Sequence, residues 1–164
     1  MTVYTIGYQA AQIDDFVRFL SRKKIQEIVD VRKNPVSRKK GFSKNKLAAA
    51  LSEGKIAYSH FGELGVPQAW RQAAHSHRIT REKMFHDYEE KILPFRKEAI
   101  QEILKRIKEK NIALLCFEHD ASDCHRLNLA KRLKRSSRGL KIVNLEIVSV
   151  LPTDGAKRRR PVQT

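Results

Sequence analysis

Both cysteines of the chain lie in one short segment that also contains two histidines, an arginine and three acids. Cys116 ends an apolar run, Glu118 follows it, and the tetrapeptide Asp123-Cys124-His125-Arg126 comes shortly afterwards. Thiol, imidazole and carboxyl groups are the usual nucleophiles and acid–base groups of enzymes. This grouping favours an enzyme-like pocket, although it does not name the reaction.

Cys124 and His125 stand where a helix is expected to begin, after a polar cap formed by Ser122 or Asp123. Backbone N–H groups at a helix N-terminus lack partners within the helix and attract anions. A cysteine there can have a lowered pKa and act as a thiolate, whereas His125 or Arg126 can bind a phosphate. The alternative is that Cys124 is a small buried residue that packs the turn.

Two carboxylates are candidates for acid–base work. Asp30 and Arg32 flank Val31 at the end of a second apolar run, so they share one face of a strand. If that strand neighbours the strand that ends at Cys116, Asp30 and Glu118 form a carboxylate pair. Such a pair divides into general acid and general base when one pKa is raised. The alternative is an Asp30–Arg32 ion pair that anchors the next loop.

The same cysteines and histidines do not predict a metal site. Cys116, His119, Cys124 and His125 lack the spacing of a standard structural zinc motif. Adjacent Cys124 and His125 are not expected to face one ion from a helix. The chain also lacks a Gly-x-Gly-x-x-Gly sequence and a Walker phosphate loop, so we expect neither a metal nor a cofactor.

The segment 32–46 contains only positive charges among its ionisable residues. Cations interleaved with an aromatic side chain suit phosphate contacts combined with base stacking, and a solvated surface is the alternative. The residues expected to contact phosphate or base here are Arg32, Arg38, Lys39, Lys40 and Phe42. Tyr58 and His60 alternate at the end of a third apolar run, where they can stack on a base or transfer a proton. Core packing is the alternative for Tyr58.

The whole chain is strongly basic, with 34 Lys and Arg against 18 Asp and Glu and a net charge of +16. Such an excess of one sign favours a polyanionic partner, above all nucleic acid. Adaptation to heat is a poor alternative because it usually adds charges of both signs. We expect nucleic acid, DNA before RNA, or a phosphorylated nucleotide as the partner, and the sequence does not indicate the oligomeric state.

Apolar runs alternate with segments of helical spacing along most of the chain. Strands are expected at 3–6, 28–31, 56–58, 112–117 and within 142–150, and helices at 12–24, 43–53, 80–93, 96–109 and 123–136. This alternation indicates a single α/β domain over residues 1–151, with a mostly parallel Rossmann-like sheet flanked by helices. Residues 66–80 have no clear periodicity and suggest an ordered insertion or a lid. Residues 152–164 form a basic tail that we expect to be disordered.

The compartment follows from what the sequence lacks. No apolar run approaches the roughly 18 residues of a membrane span, and no basic leader precedes the first strand. Two cysteines form no disulfide framework, which is typical of a reducing compartment. We therefore expect a cytoplasmic protein without membrane contact.

These residues together resemble the domain-of-unknown-function 488 family. The matching positions run from residue 3 to about 147 and are Thr5-Ile6-Gly7-Tyr8, Asp30-Val31-Arg32, Pro35, Ser37, Arg38, Phe42, Tyr58, His60, Leu64-Gly65, Cys116, Glu118 and Cys124-His125-Arg126. The resemblance implies one Rossmann-like α/β domain with a shared polar site, and no assigned reaction. Gln9 and Val66 depart from the family pattern, which often has a serine and a second glycine there.

The leading hypothesis is a small hydrolase that acts on nucleic acid or a nucleotide as a glycosylase. Cleavage of a base–sugar bond needs a carboxylate near an oxocarbenium-like centre, which Asp30 or Glu118 would supply. The expected phosphate contacts are Arg32, Arg38 and Arg126, and the expected base contacts are Tyr58 and His60. The first alternative is a non-catalytic nucleic-acid-binding module. The second is a thiol-dependent or phosphatase-like enzyme that uses Cys124.

Overall fold

Within residues 1–148, five short strands pair into one parallel sheet with the order β3-β2-β4-β1-β5. The computed structural model describes residues 1–148, so the basic tail expected at 152–164 lies outside the described residues. The strands are β1 (Thr2–Gly7), β2 (Glu27–Asp30), β3 (Ala57–His60), β4 (Ile112–Cys116) and β5 (Lys141–Leu145). The α/β class and the parallel Rossmann-like sheet predicted from the sequence are confirmed.

In the described part of the chain, six α-helices connect and cover the strands: α1 (Ile13–Arg22), α2 (Lys44–Glu53), α3 (Gln68–His75), α4 (Arg81–Lys91), α5 (Lys97–Glu109) and α6 (His125–Ser136). Thr80 caps α4, because its hydroxyl accepts a hydrogen bond from the Lys83 N–H. Pro94 lies in a short 3-10 turn (Leu93–Phe95) that separates α4 from α5. The helices expected around these positions are confirmed.

Helix α3 was not predicted as a helix. It lies within the segment 66–80, has eight residues, and buries only Ala74. A two-turn helix with one buried residue shows no repeating apolar stripe, so periodicity cannot reveal it. Pro67 immediately precedes it, where a missing N–H costs nothing.

The helices form two layers, one on each side of the sheet. On one side Phe16 of α1 and Leu47 of α2 pack against Ile28 and Leu115. Helices α4, α5 and α6 cover the other side, with Leu129 packed among the strand residues. The chain therefore leaves β1 and β2 toward one layer and leaves β4 toward the other. Neighbouring strands that send the chain to opposite faces open a crevice at their carboxyl ends, the usual binding position in such sheets.

No helix within residues 1–148 is long and apolar enough to cross a membrane.

A buried cluster of charged side chains stabilises the sheet at the end where β2 begins, away from the carboxyl ends of the strands. The Glu27 side chain is 2% exposed, its Oε2 lies 2.7 Å from the Lys110 Nζ, and its Oε1 pairs with Arg106. The Ser59 hydroxyl donates to Oε1 at 2.6 Å. Burial opposes the charged form of Glu27, but Lys110, Ser59 and Arg106 outweigh burial and lower its pKa.

Because of this cluster, the free energy of unfolding depends on pH in the acid range. Because the folded pKa of Glu27 lies below its unfolded value of about 4.5, its contribution is complete above that pH and is lost as pH falls through the folded pKa. Glu27→Gln should lower the free energy of unfolding by about 1–3 kcal/mol at neutral pH and should flatten its decline in acid. Urea denaturation over a series of pH values measures both effects. Glu102→Gln, at a half-exposed partner of Arg106, is the control and should change stability by less than about 1 kcal/mol. An unchanged acid profile in Glu27→Gln would contradict this assignment.

Candidate active site

Asp30 and Arg32 form a closed ion pair at the carboxyl end of β2. Asp30 is fully buried, and Arg32 donates to its two oxygens from Nε at 2.9 Å and from Nη2 at 2.6 Å. The Tyr58 hydroxyl donates to Asp30 Oδ2 at 2.7 Å. Burial and the neighbouring carboxylate raise the pKa of the Tyr58 phenol. Both oxygens of Asp30 are therefore occupied, so its carboxylate holds Arg32 and Tyr58 in place.

Arg32 extends this network into the loop after β2. Its Nη1 donates to the Tyr8 hydroxyl at 2.9 Å and to the Phe42 carbonyl at 2.8 Å. The Phe42 ring is fully buried and stacks on Tyr8 with 4.5 Å between ring centroids. The stacking of Phe42 on a base stays a prediction, and in this structure its ring faces Tyr8 in the core. His60 contacts the Arg32 carbonyl through Nε2 at 2.8 Å, so its ring also supports the loop.

Arg126 fixes the loop after β4. Its side chain is 1% exposed, and its guanidinium donates to the carbonyls of Glu118 at 2.7 Å and His119 at 3.1 Å. The phosphate contact of Arg126 likewise stays a prediction, and in this structure the guanidinium is enclosed and turned toward the backbone. Gly7 assists, because a Cβ at this position would overlap the backbone oxygen of Glu118. Only glycine lets β1 and this loop approach so closely.

Cys116, Cys124 and His125 meet in a buried cluster beside this loop. The His125 Nδ1 lies 3.8 Å from the Cys116 Sγ and 3.9 Å from the Cys124 Sγ. The His125 Nε2 lies 3.0 Å from the Val31 carbonyl, which can only accept a hydrogen bond. Nε2 therefore carries a proton, and Nδ1 faces both sulfurs.

The expectation that adjacent Cys124 and His125 cannot converge is wrong. Cys124 is the N-cap of α6 and has an extended backbone, with φ −144° and ψ 141°. Consecutive helical residues diverge by about 100° around the helix axis, but an extended N-cap residue is free of this constraint. The two side chains therefore reach one point from neighbouring positions.

Burial and mutual contact shift the protonation of the cluster. Burial opposes ionisation of Cys124, but Cys116 and His125 outweigh it and lower the pKa of this thiol. The hydrogen bond with Cys124, followed by burial, raises the pKa of the Cys116 thiol. Burial and the adjacent Cys124 raise the pKa of the Glu118 carboxyl. The cluster therefore concentrates negative charge on one sulfur and favours a protonated Glu118.

The cluster lies between two cavities at the carboxyl edge of the sheet. The larger has a volume of about 310 Å³, and its cationic lining residues are Arg32, Lys33, Arg38, Lys39 and Arg71. The smaller has about 210 Å³ and is lined in part by Cys124 and Arg81. Glu118 and His125 line both cavities. Within residues 1–148, the Glu118 Oε2 is buried and has no hydrogen-bond partner.

The structure divides the predicted site residues into three groups. Those that line the larger cavity are Arg32, Arg38, Lys39, Glu118 and His125. Those that lie behind it and hold the loops are Asp30, Tyr58, His60, Phe42 and Arg126. Cys124 lines only the smaller cavity, and Lys40 is exposed outside both linings.

Among the residues that line the larger cavity, the sequence indicated no individual cleft role for Tyr8, Lys33, Arg71 and Phe117. Tyr8 follows Gly7 at the end of β1, which is the kind of strand-end position that supplies sites in parallel sheets. Lys33 is one of several cations of the basic loop, and nothing in the sequence distinguishes it from the others. Arg71 belongs to α3, whose helical character left no sequence signal, so nothing indicated its direction.

Fold and site together define a parallel α/β protein with a cationic cleft and a thiol–imidazole–carboxyl cluster at the carboxyl edge of its sheet. The chain belongs to the family described as "Domain of unknown function DUF488", whose model matches residues 12–133. No curated protein and no solved structure matches it. The match to the family model confirms the resemblance noted in the sequence. Because a fold does not specify a reaction, function has to be argued from the site.

Proposed function

We propose that this protein is an enzyme that acts on nucleic acid or a phosphorylated nucleotide and hydrolyses the bond between base and sugar. One observation carries the proposal. Glu118 is the one carboxyl group among residues 1–148 that lines the larger cavity, where it is surrounded by five cationic side chains. An anionic substrate is attracted to such a cleft and meets a single acid group at its inner wall.

The cations at the mouth of the cleft suit phosphate. Arg38 and Arg71 are exposed, and they reach the cavity from two elements, the loop after β2 and α3. Guanidinium groups bind phosphate through paired N–H donors. Lys39 lies beside them, with its Nζ 3.1 Å from the Gln9 carbonyl. Phosphate groups of a substrate would thus be held between two elements of the protein.

An aromatic side chain at the cleft is available for a base. Phe117 is 41% exposed, lines the larger cavity, and packs edge-to-face on Tyr8 at 5.3 Å. Stacking of a base on an aromatic ring contributes about 1–3 kcal/mol and tolerates any base. In this proposal Phe117 takes the stacking role that the sequence suggested for Phe42.

Glu118 would supply the acid group of the reaction. Cleavage of a base–sugar bond develops positive charge at the anomeric carbon, and the leaving base takes up a proton. Glu118 would give that proton to the base as the bond breaks. Water would then bond to the anomeric carbon and return a proton to Glu118, so that the products are a free base and a sugar hydroxyl. Asp30 would act as a positioning residue through Arg32.

A panel of oligonucleotides with normal, modified and damaged bases tests this reaction, together with nucleoside monophosphates. Abasic sites are detected by cleavage in alkali, and released bases are separated by liquid chromatography. We expect base release from at least one member of the panel. Binding to oligonucleotides without base release from any member would overturn the reaction and favour a non-catalytic nucleic-acid-binding module.

The thiol-dependent alternative has weaker geometric support. Cys124 is 1% exposed, and its sulfur faces Cys116 and His125 rather than the larger cavity. A phosphorus or carbon centre bound in the cationic cleft would not reach this sulfur without movement of the loop after β4.

Binding through the cleft should depend on salt. For a labelled duplex, the logarithm of the association constant should fall with the logarithm of salt concentration by about 0.9 per phosphate neutralised. Arg38→Ala and Lys39→Ala should each reduce this slope by about 0.9 if each residue contacts one phosphate. Fluorescence anisotropy at several salt concentrations measures the slope. Lys108→Ala, at an exposed position of α5 outside both cavities, is the control and should leave it unchanged. A flat response of the unaltered protein would contradict nucleic-acid binding.

A further inference from the structure

We propose that Cys116, Cys124 and His125 bind one Zn²⁺ ion and leave its fourth coordination position open toward the larger cavity. The three ligand atoms lie within 4.8 Å of one another, and all three residues are buried. This inference stands on the arrangement of the three ligands and does not depend on the reaction proposed above.

The distances match a tetrahedral ion. Zinc lies about 2.3 Å from a thiolate sulfur and about 2.0–2.1 Å from an imidazole nitrogen, so neighbouring sulfur and nitrogen ligands are about 3.6 Å apart. The His125 Nδ1 is 3.8 Å from one sulfur and 3.9 Å from the other. The two nitrogen–sulfur distances therefore need to shorten by only a few tenths of an ångström around the ion, and all three ligand atoms lie within 4.8 Å of one another.

The orientation of His125 is that of a metal ligand. Ligating histidines usually donate their second ring N–H to a carbonyl or carboxylate, which fixes the ring. Here Nε2 lies 3.0 Å from the Val31 carbonyl, and Nδ1 is nearly equidistant from the two sulfurs. The sulfurs are themselves held by the end of β4 and by the N-cap of α6. The ligands thus come from the end of β4 and the start of α6, and the Val31 carbonyl after β2 orients the His125 ring before any ion binds.

The donor set selects the metal and the kind of site. Two thiolates with one imidazole suit zinc, and three protein ligands with one open position are typical of catalytic rather than structural zinc sites. Cys116 and Cys124 bind as thiolates, and any protons that they carry pass to solvent, so the buried unit of Zn²⁺ and two thiolates is neutral. Cys116, Glu118 and His125 also line the larger cavity, so the open position is reached from the cleft.

Glu118 provides a second, independent observation. Its Oε2 is buried without a hydrogen-bond partner among the described residues, and its carboxyl neighbours Cys124. An unpartnered buried oxygen is costly unless something satisfies it. A water molecule or substrate oxygen on the open position of the ion would donate to or share a proton with this carboxyl.

Titration of the full-length protein with Co²⁺, followed by displacement with Zn²⁺, tests the site. We expect one Co²⁺ per chain, with thiolate-to-cobalt charge-transfer absorption and the strong visible bands of a tetrahedral ion. Cys116→Ser and Cys124→Ser should each weaken binding by more than the roughly 10–100-fold that follows loss of an outer partner. His119→Ala, at a histidine of the same loop outside the cluster, should bind as the unaltered protein does. No charge-transfer band, or equal affinity in Cys116→Ser and the unaltered protein, would overturn the proposal.

A measurement on the unaltered protein removes dependence on how the variants fold. X-ray absorption at the zinc edge should show two sulfur and one nitrogen neighbour, with a further light atom at the open position. A shell made only of oxygen and nitrogen would overturn the proposal. Circular dichroism of each variant without metal shows whether a loss of affinity arises at the site or from loss of the fold.

Discussion

Replacing Arg32 with methionine is expected to lower the free energy of unfolding by about 3–5 kcal/mol. The change removes the guanidinium that donates to both oxygens of Asp30 and leaves a fully buried carboxylate with the Tyr58 hydroxyl as its main remaining side-chain partner. An uncompensated charge in a buried position is far costlier than the loss of one exposed ion pair. Urea denaturation at neutral pH, followed by circular dichroism, measures the loss.

Two further variants establish the cause of this loss. Arg38→Met changes an exposed cation of the same loop and should shift stability by no more than about 0.5 kcal/mol. Adding Asp30→Asn to Arg32→Met removes the orphaned charge, so the double variant should be more stable than Arg32→Met alone. A loss in Arg32→Met no greater than that in Arg38→Met would contradict the closed ion pair.

Asp30 and Arg32 hold the walls of the cleft in place, which is a different role from taking part in the reaction. Asp30 holds Arg32, and Arg32 in turn holds Tyr8 and the Phe42 carbonyl, so any change to the pair disturbs the loop after β2. Lost activity in an Asp30 variant would therefore report a displaced loop as much as a missing catalytic group. Activity of such variants has meaning only when compared with their stability.

The fold was predictable where burial leaves a strong pattern. All five residues of β4 are buried and apolar, and α5 buries residues at helical spacing, so the sequence indicates both elements clearly. The edge strand β3, with the sequence Ala-Tyr-Ser-His, has no fully buried residue. The apolar run that indicates this strand in the sequence is therefore short. No apolar pattern indicates helix α3, because its one buried side chain cannot form an apolar stripe at helical spacing.

The chemical groups of the site were predictable, but their contacts were not. The sequence placed Asp30, Glu118 and Cys124 at strand or helix ends, and the parallel sheet brings those ends to one edge. The sequence could not show that the Tyr58 hydroxyl donates a hydrogen bond to Asp30. That contact depends on the pairing of β3 with β2, in which Asp30 lies opposite His60. Nor could it show that Cys124 is an extended N-cap residue, on which the convergence with His125 depends. Strand order and cap geometry arise from tertiary packing, which one sequence does not display.

Glu118→Gln is expected to lower kcat for base release by about 10²–10⁴-fold, while the affinity for the same oligonucleotide stays within about threefold. Glutamine preserves the size and hydrogen-bonding capacity of the side chain but cannot exchange a proton. The cationic residues that would hold phosphate remain in place, and so do the three ligands proposed for zinc. Steady-state assays at saturating oligonucleotide measure kcat, and fluorescence anisotropy with a labelled copy of the oligonucleotide measures affinity.

Asp120→Asn is the matched control, since Asp120 is an exposed acid of the same loop that lines neither cavity. It should leave both kcat and affinity close to those of the unaltered protein. Retained turnover in Glu118→Gln would remove the acid role from this carboxyl even if base release itself were established. Lost affinity with unchanged kcat would instead assign Glu118 to substrate binding. A simultaneous loss of Co²⁺ binding would mean that Glu118 belongs to the metal shell, so the same variant distinguishes proton transfer from metal ligation.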